Sequence, residues 1–254
     1  MTLVADPLKL KHRPDASLAS VNVDGLYPNM SPSVFRTLQD RIAGIPTPRI
    51  VEIGIGISTY HLCKQLMEKG GTYLGIEHNR NWFDIVEAWI GRLLAGRAKQ
   101  APVEQRRVVG PLQPKHYPKP LLYVDSTFRA GPLTVTLLLR QAASQTGDGT
   151  AEEFHEYLEA VAGPADVIVV DGRARIPALK RIAETSVLAP GGILFLHDAK
   201  GYKDQVSSLF PGGVLLEGRG GFKNALRPEQ IAVNVVPEEA YLWQAPAEIG
   251  EQDG

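Results

Sequence analysis

Residues 49–59, Arg-Ile-Val-Glu-Ile-Gly-Ile-Gly-Ile-Ser-Thr, constrain the fold more than any other part of this 254-residue chain. A short apolar run ending in Glu52, Gly54 and Gly56 reads as a buried strand that turns into a helix. Its glycines fall where the backbone must come close to a ligand. A second strand-like stretch, residues 72–77, also ends in an acid, Glu77. Strand, glycine loop, helix, strand and acid together describe an open parallel sheet with a nucleoside lying across the carboxyl ends of adjacent strands. The acid then accepts hydrogen bonds from ribose hydroxyls.

The remaining chain alternates in the same way. Val34, Leu38 and Ile42 recur at helical spacing over residues 33–42, before Pro46 and Pro48 break the pattern. Strand 49–53 leads to a helix over 58–69 that Gly70-Gly71 ends, and strand 72–77 leads to a helix over 81–95. A third strand falls at 106–109. The rhythm resumes with a helix at 151–162, a strand at 166–171, a helix at 176–188 closed by Pro190-Gly191-Gly192, and a strand at 193–197. An antiparallel pair, 213–217 with 230–236, follows. The expected fold is therefore α/β: a Rossmann-like, mainly parallel sheet with helices on both faces and an antiparallel C-terminal strand. Residues 1–32 read as an irregular arm, 33–240 as the domain, and 241–254 as a flexible tail. The proline-interrupted stretch 111–149 reads as an insertion serving as a lid or as an interface with a second subunit, a homo-oligomer in the latter case.

The glycine loop also bears on which nucleoside is bound. A dinucleotide site favours G-x-G-x-x-G, with a helix N-terminus facing pyrophosphate. Here the run is G-I-G-I-S-T, and Thr59 stands where the third glycine would be. A cofactor without phosphates does not need that helix end, so the pattern favours S-adenosylmethionine over NAD. The formal net charge of −1 gives no electrostatic case for nucleic acid as a partner, and no apolar stretch approaches a membrane span. One cysteine, Cys63, excludes an internal disulfide and reads as buried packing in a helix. With no basic, apolar leader at the start, the expected location is cytoplasmic.

Two further segments complete a pattern of four. Glu-Ile-Gly-Ile-Gly-Ile-Ser-Thr, Gly-Ile-Glu-His-Asn-Arg-Asn-Trp, Val-Val-Asp-Gly-Arg-Ala-Arg and Pro-Gly-Gly-Ile-Leu-Phe-Leu-His-Asp stand in this order over residues 52–198, within a resemblance that covers about residues 33–210. In this combination the chain resembles the class I S-adenosylmethionine-dependent methyltransferases, and within them the bacterial small-molecule and sugar O-methyltransferases. The resemblance implies that Glu52, Gly54 and Gly56 hold the methionine end of the cofactor, with Ser58 and Thr59 capping the adjoining helix. It further implies that Glu77 takes the ribose hydroxyls, that His78 and Trp82 border adenine, and that Asp171 faces donor and acceptor. The implied activity is methyl transfer to a small-molecule acceptor, with oxygen favoured.

An oxygen acceptor with a high pKa needs a base or a metal. His197 can act as a base near neutral pH. Alternatively Asp171 and Asp198 can ligate Mg²⁺, a hard ion that prefers oxygen ligands. Both readings stay open in the sequence, as do plainer ones. His197 can be a satisfied histidine hydrogen-bonded to a neighbouring loop, and Asp198 can cap a helix beginning near Lys200. Arg173 and Arg175 either solvate a loop or grip an anionic group on the substrate. Trp89 and His61 read as structural residues, and His155 and Tyr157 as packing or surface residues. Transfer to nitrogen, aminopropyl transfer, an NAD-dependent oxidoreductase and a non-catalytic cofactor-binding protein are the rival functions.

Overall fold

A computed structural model describes residues 16–247 apart from 25, 27, 29, 97–101, 113–118, 143–147 and 221–235. Nine strands form one sheet in the order β3-β4-β5-β2-β1-β6-β7-β9-β8. Its middle is parallel: β5 (Leu133–Arg140), β2 (Gly71–Glu77), β1 (Arg49–Ile53), β6 (Ala165–Val170) and β7 (Leu188–Leu196). Antiparallel strands finish both ends, β4 (Leu121–Ala130) and β3 (Val103–Leu112) on one side, β9 (Val236–Gln244) and β8 (Val214–Gly220) on the other. None of the described helices is long and apolar enough to cross a membrane.

Helices cover both faces because each parallel strand must bury two sides. Ile50 of β1 joins one core with Leu38 of α1 (Pro32–Ala43), Leu62 and Leu66 of α2 (Ile57–Lys69), and Phe83 and Trp89 of α3 (Arg80–Ala95). Val51 and Ile53, one residue out of phase, join the other. There they meet Tyr157 of α4 (His155–Glu159), Leu179 and Ile182 of α5 (Arg175–Glu184), and Val206 of α6 (Lys203–Leu209). Part of the N-terminal arm is fixed to the first layer: Trp89 Nε1 donates to the Leu18 carbonyl at 2.9 Å, and Leu18, Val23 and Met30 are buried. His61, expected to be structural, contacts the Leu26 carbonyl through Nε2. Cys63 is buried, as its place in α2 suggested.

Several boundaries differ from the sequence reading. Residues 121–140, assigned there to an insertion, are two strands of the main sheet, and β5 lies parallel beside β2. The alternating burial of Leu133–Arg140 shows why they belong to it, since every second residue packs under α3. The strand expected at 106–109 spans ten residues and is the sheet edge. Pro190-Gly191-Gly192 does not close a helix. α5 stops at Glu184, and these residues lie inside β7, where the register against β6 shifts. The helix expected over 151–162 shrinks to α4. Residues 241–244, placed in a flexible tail, belong to β9, with Tyr241 buried and its hydroxyl donating to the Phe210 carbonyl at 2.6 Å. Residues 1–15, 230–235 and 248–254 of the expected arm, strand and tail lie outside the described residues, as does most of the polar 144–150 stretch.

Candidate active site

The carboxyl ends of β2, β1, β6 and β7 stand side by side, and backbone bonds continue the ladder past them. Gly54 N donates to the Ile76 carbonyl at 2.8 Å, Asp171 N to Ile53 at 2.9 Å, and His197 N to Val170 at 3.0 Å. These bonds align the glycine loop, Asp171 and His197 in one row along the crevice where open α/β sheets bind ligands.

Gly54 is required by the fold. Its φ is +91°, and a Cβ there would sit 2.2 Å from Gly172 Cα. The loops after β1 and β6 thus touch backbone to backbone through two glycines. Gly56 differs: its φ is extended, and a Cβ would meet only Trp82 and Ser58 at ordinary contact distances. Among the described residues nothing demands glycine there, so the position is open to close approach of a ligand.

Glu52 lies beneath this loop and is fully buried. Ser58 Oγ donates to its Oε1 at 2.5 Å, Thr59 Oγ1 to Oε2 at 2.7 Å, and the Tyr73 hydroxyl also donates to Oε2. Gly56 N donates in turn to Thr59 Oγ1 at 2.8 Å. Burial raises the Glu52 carboxyl to about 7, against the opposing pull of these hydrogen bonds. Glu52, Ser58 and Thr59 therefore hold the shape of the Gly54–Gly56 loop from below. Trp82 supports the same loop from the side, with its indole donating to the Ile55 carbonyl and packing edge-on against Trp89.

Glu77 ends β2 with one oxygen anchored, Oε1 accepting from His78 N at 2.9 Å and Asn79 N at 2.7 Å. Its Oε2 has no hydrogen-bond partner among the described residues, which suits it to a diol. Asn79 also caps α3 by accepting from Trp82 N at 3.1 Å. The His78 ring packs on Phe154 and Tyr157, at centroid distances of 5.4 and 5.9 Å. Tyr157, read as a packing or surface residue, is buried, yet its hydroxyl lacks a partner among the described residues and lies against Gly172. An orphaned donor between the β2 and β6 ends fits a ligand with a nitrogen-rich ring. Its helical sequence context carried no sign of this.

At the β6 and β7 ends, His197 Nδ1 lies 2.6 Å from Asp171 Oδ1, and Nε2 lies 3.8 Å from Asp198 Oδ1. The imidazole is 1% exposed, whereas Asp171 is 21% and Asp198 54% exposed. Burial raises the Asp171 carboxyl, but the His197 imidazole and the Arg175 guanidinium outweigh it and hold the group below its ordinary value. Arg175 binds three loops together. Nη2 is 3.6 Å from both Asp171 Oδ1 and Asp198 Oδ2, Nη1 is 4.0 Å from Asp148, and the guanidinium stacks over Tyr202. The Tyr202 hydroxyl donates to Asp148. Asp148 and Tyr202 carried no recognisable motif, because only the fold brings them to this site. Asp198 does not cap the following turn with its side chain. It adopts φ +55°, and with Ala174 it is one of two described non-glycine residues in the left-handed region, both at this crevice.

The donor set does not fit Mg²⁺. The Arg175 guanidinium lies 3.6 Å from both Asp171 and Asp198, and no group of three His, Cys, Asp or Glu among the described residues could hold a metal ion. The ion site expected at Asp171 and Asp198 is thereby corrected to an ion-paired cluster.

A family profile described as a methyltransferase domain matches residues 51–199, more than half of the chain. The chain belongs to this methyltransferase family. With its strand order and crevice, it is a class I S-adenosylmethionine-dependent methyltransferase. Among solved structures it is similar to a putative O-methyltransferase from Klebsiella pneumoniae, at 14% identity, covering 94% of this chain and 96% of that one, with a TM-score of 0.50. It is also similar to cofactor-bound Rv0187 from MTB, at 15% identity, covering 97% and 100%, with a TM-score of 0.47. No curated protein sequence matches the chain.

Proposed function

We propose that this enzyme methylates a hydroxyl oxygen of a small molecule, with the Asp171–His197 pair handling the acceptor proton. The observation that carries the proposal is the 2.6 Å contact between His197 Nδ1 and Asp171 Oδ1 at the end of the sheet. When bound, S-adenosylmethionine supplies a methyl group already activated as a sulfonium, so the chain has to place the acceptor and remove its proton. The Gly54–Gly56 loop would take the methionine end, Glu77 the ribose, and His78 with the Tyr157 hydroxyl the adenine. Asp171, kept ionised and partly exposed, accepts the hydrogen bond of the acceptor O–H. His197 stands behind it, orients the carboxylate, and shares the proton as it leaves the acceptor. Arg175 is engaged by Asp148, Asp171 and Asp198, and so serves to hold the loops together. Arg173, with no ion-pair partner among the described residues, is the cation left to meet an anionic group on the acceptor.

The test is steady-state methyl transfer across hydroxyl and amine acceptors. In His197→Asn and Asp171→Asn, kcat should fall by roughly 10²–10⁴-fold, the usual worth of a positioned acid or base. His197→Asn should keep its affinity for S-adenosylhomocysteine. Full activity in the His197→Ala/Asp198→Ala double variant would sink the proton-handling role. Turnover on amines alone would overturn the choice of oxygen, and tight cofactor binding without turnover on either class would point to a non-catalytic role.

A further inference from the structure

The two ends of the sheet are treated differently. At the β8 end α1 packs onto the strand, with Ser31 and Val34 so close to Gly218 that a Cβ there would meet them at under 3 Å. The β3 end lies against β4 alone in the strand order. β3 pairs with β4 through ten consecutive residues, Val103↔Ala130 to Leu112↔Leu121, without a register shift. Its outer backbone groups thus form an edge without a bulge, and no proline interrupts Val103–Gly110. Two of the three exposed large hydrophobic residues among those described, Val108 and Val109 at 36% and 49%, lie on it.

We propose that β3 is a homodimer interface, in which a second copy of this chain pairs antiparallel along Val103–Arg107 about a two-fold axis midway between the two copies of Gln105. The charges on the strand select both the partner and the register. Directly opposed residues of an antiparallel pair share a face of the sheet, so a two-fold axis normal to the sheet must pass midway between the two copies of one residue. Arg107 points to the α3 side, where Nε lies 3.0 Å from Glu87 Oε1, and Gln105 reaches Ser126 on the same side. Glu104 and Arg106 therefore point to the opposite face, and neither forms an ion pair among the described residues. With the axis at Gln105, each Glu104 stands opposite the partner's Arg106, twice per dimer. Moving the axis to Glu104, Arg106 or Arg107 places that residue against its own copy and sets like charges together. Only one of four neighbouring registers joins opposite charges, and the other three are penalised. Strand addition also satisfies the outer backbone groups of both edges and joins the two sheets into one.

The experiment is sedimentation velocity on the full chain over a range of concentrations. The wild type should sediment as a dimer. Glu104→Arg should weaken dimerisation by on the order of tenfold or more, because it creates two arginine contacts across the axis. The charge swap Glu104→Arg/Arg106→Glu should restore the dimer. Since these side chains are exposed, circular dichroism should be unchanged in both variants. A separate readout avoids any question of folding. Gln105→Cys should oxidise to a covalent dimer, since directly opposed Cα atoms at about 4.5–5.5 Å fall within disulfide range. A monomeric wild type, a dimer indifferent to Glu104→Arg, failure of the swap to restore it, or no crosslink at residue 105 would each overturn the proposal.

Discussion

Glu52→Gln should produce a stability difference that grows across the neutral pH range. The Glu52 carboxyl is buried, and its value rises from an ordinary 4.5 to about 7. At ~1.4 kcal/mol per tenfold change in proton affinity, that rise corresponds to ~3 kcal/mol. The folded state holds the Glu52 proton more tightly than the unfolded state does. This contribution is complete below 4.5 and is lost as the pH climbs through about 7. Glutamine keeps an oxygen to accept from Thr59 and Tyr73, and its amide can donate to a rotated Ser58 hydroxyl, so the loop keeps its support without a titrating group. Urea unfolding followed by tryptophan fluorescence, without cofactor, should find the variant and the wild type similar at pH 5. By pH 8 the variant should have gained ~3 kcal/mol relative to the wild type. A difference that does not vary between pH 5 and pH 8 would refute the reasoning, by showing that Glu52 is ionised in the folded protein at both values.

Two further substitutions probe the crevice directly. Glu77→Ala should weaken S-adenosylhomocysteine binding in calorimetry by about 1.5–3 kcal/mol, the range for hydrogen bonds to a charged group, and binding of NAD in place of S-adenosylhomocysteine would contradict the cofactor assignment. Gly54→Ala should lower the melting temperature and abolish cofactor binding, since positive φ alone costs about 1–3 kcal/mol and a Cβ would also overlap Gly172 at 2.2 Å; an unchanged melting temperature would show that the two loops do not touch.

Much of the fold was legible because local rules and the global architecture agree in the middle of the sheet. The apolar runs of β1, β2 and β6 are nearly continuous, as strands buried on both faces are, and the intervening helices carry regular apolar spacing. Legibility failed at the edges. β4 and β5 were hidden by flanking prolines, and by an antiparallel excursion that the α/β alternation does not announce. Pro190-Gly191-Gly192 looked like a helix stop because proline and glycine serve strand irregularities and helix ends alike.

The sequence by itself determined the cofactor class and the main crevice residues, because a glycine loop and an acid at the end of the next strand are local requirements of bringing backbone and carboxylate to a nucleoside. Only the tertiary structure decided what those residues do. It turned Glu52, Ser58 and Thr59 inward as supports of the loop, and it set His197 behind Asp171 with its imidazole almost fully covered. It also gathered Asp148, Arg175 and Tyr202 from three separate segments and placed a guanidinium 3.6 Å from each of the two acids expected to bind Mg²⁺. The physical reason is range. Backbone conformation and burial follow from near neighbours along the chain, whereas hydrogen bonds and ion pairs depend on which distant segments the sheet brings within a few ångströms.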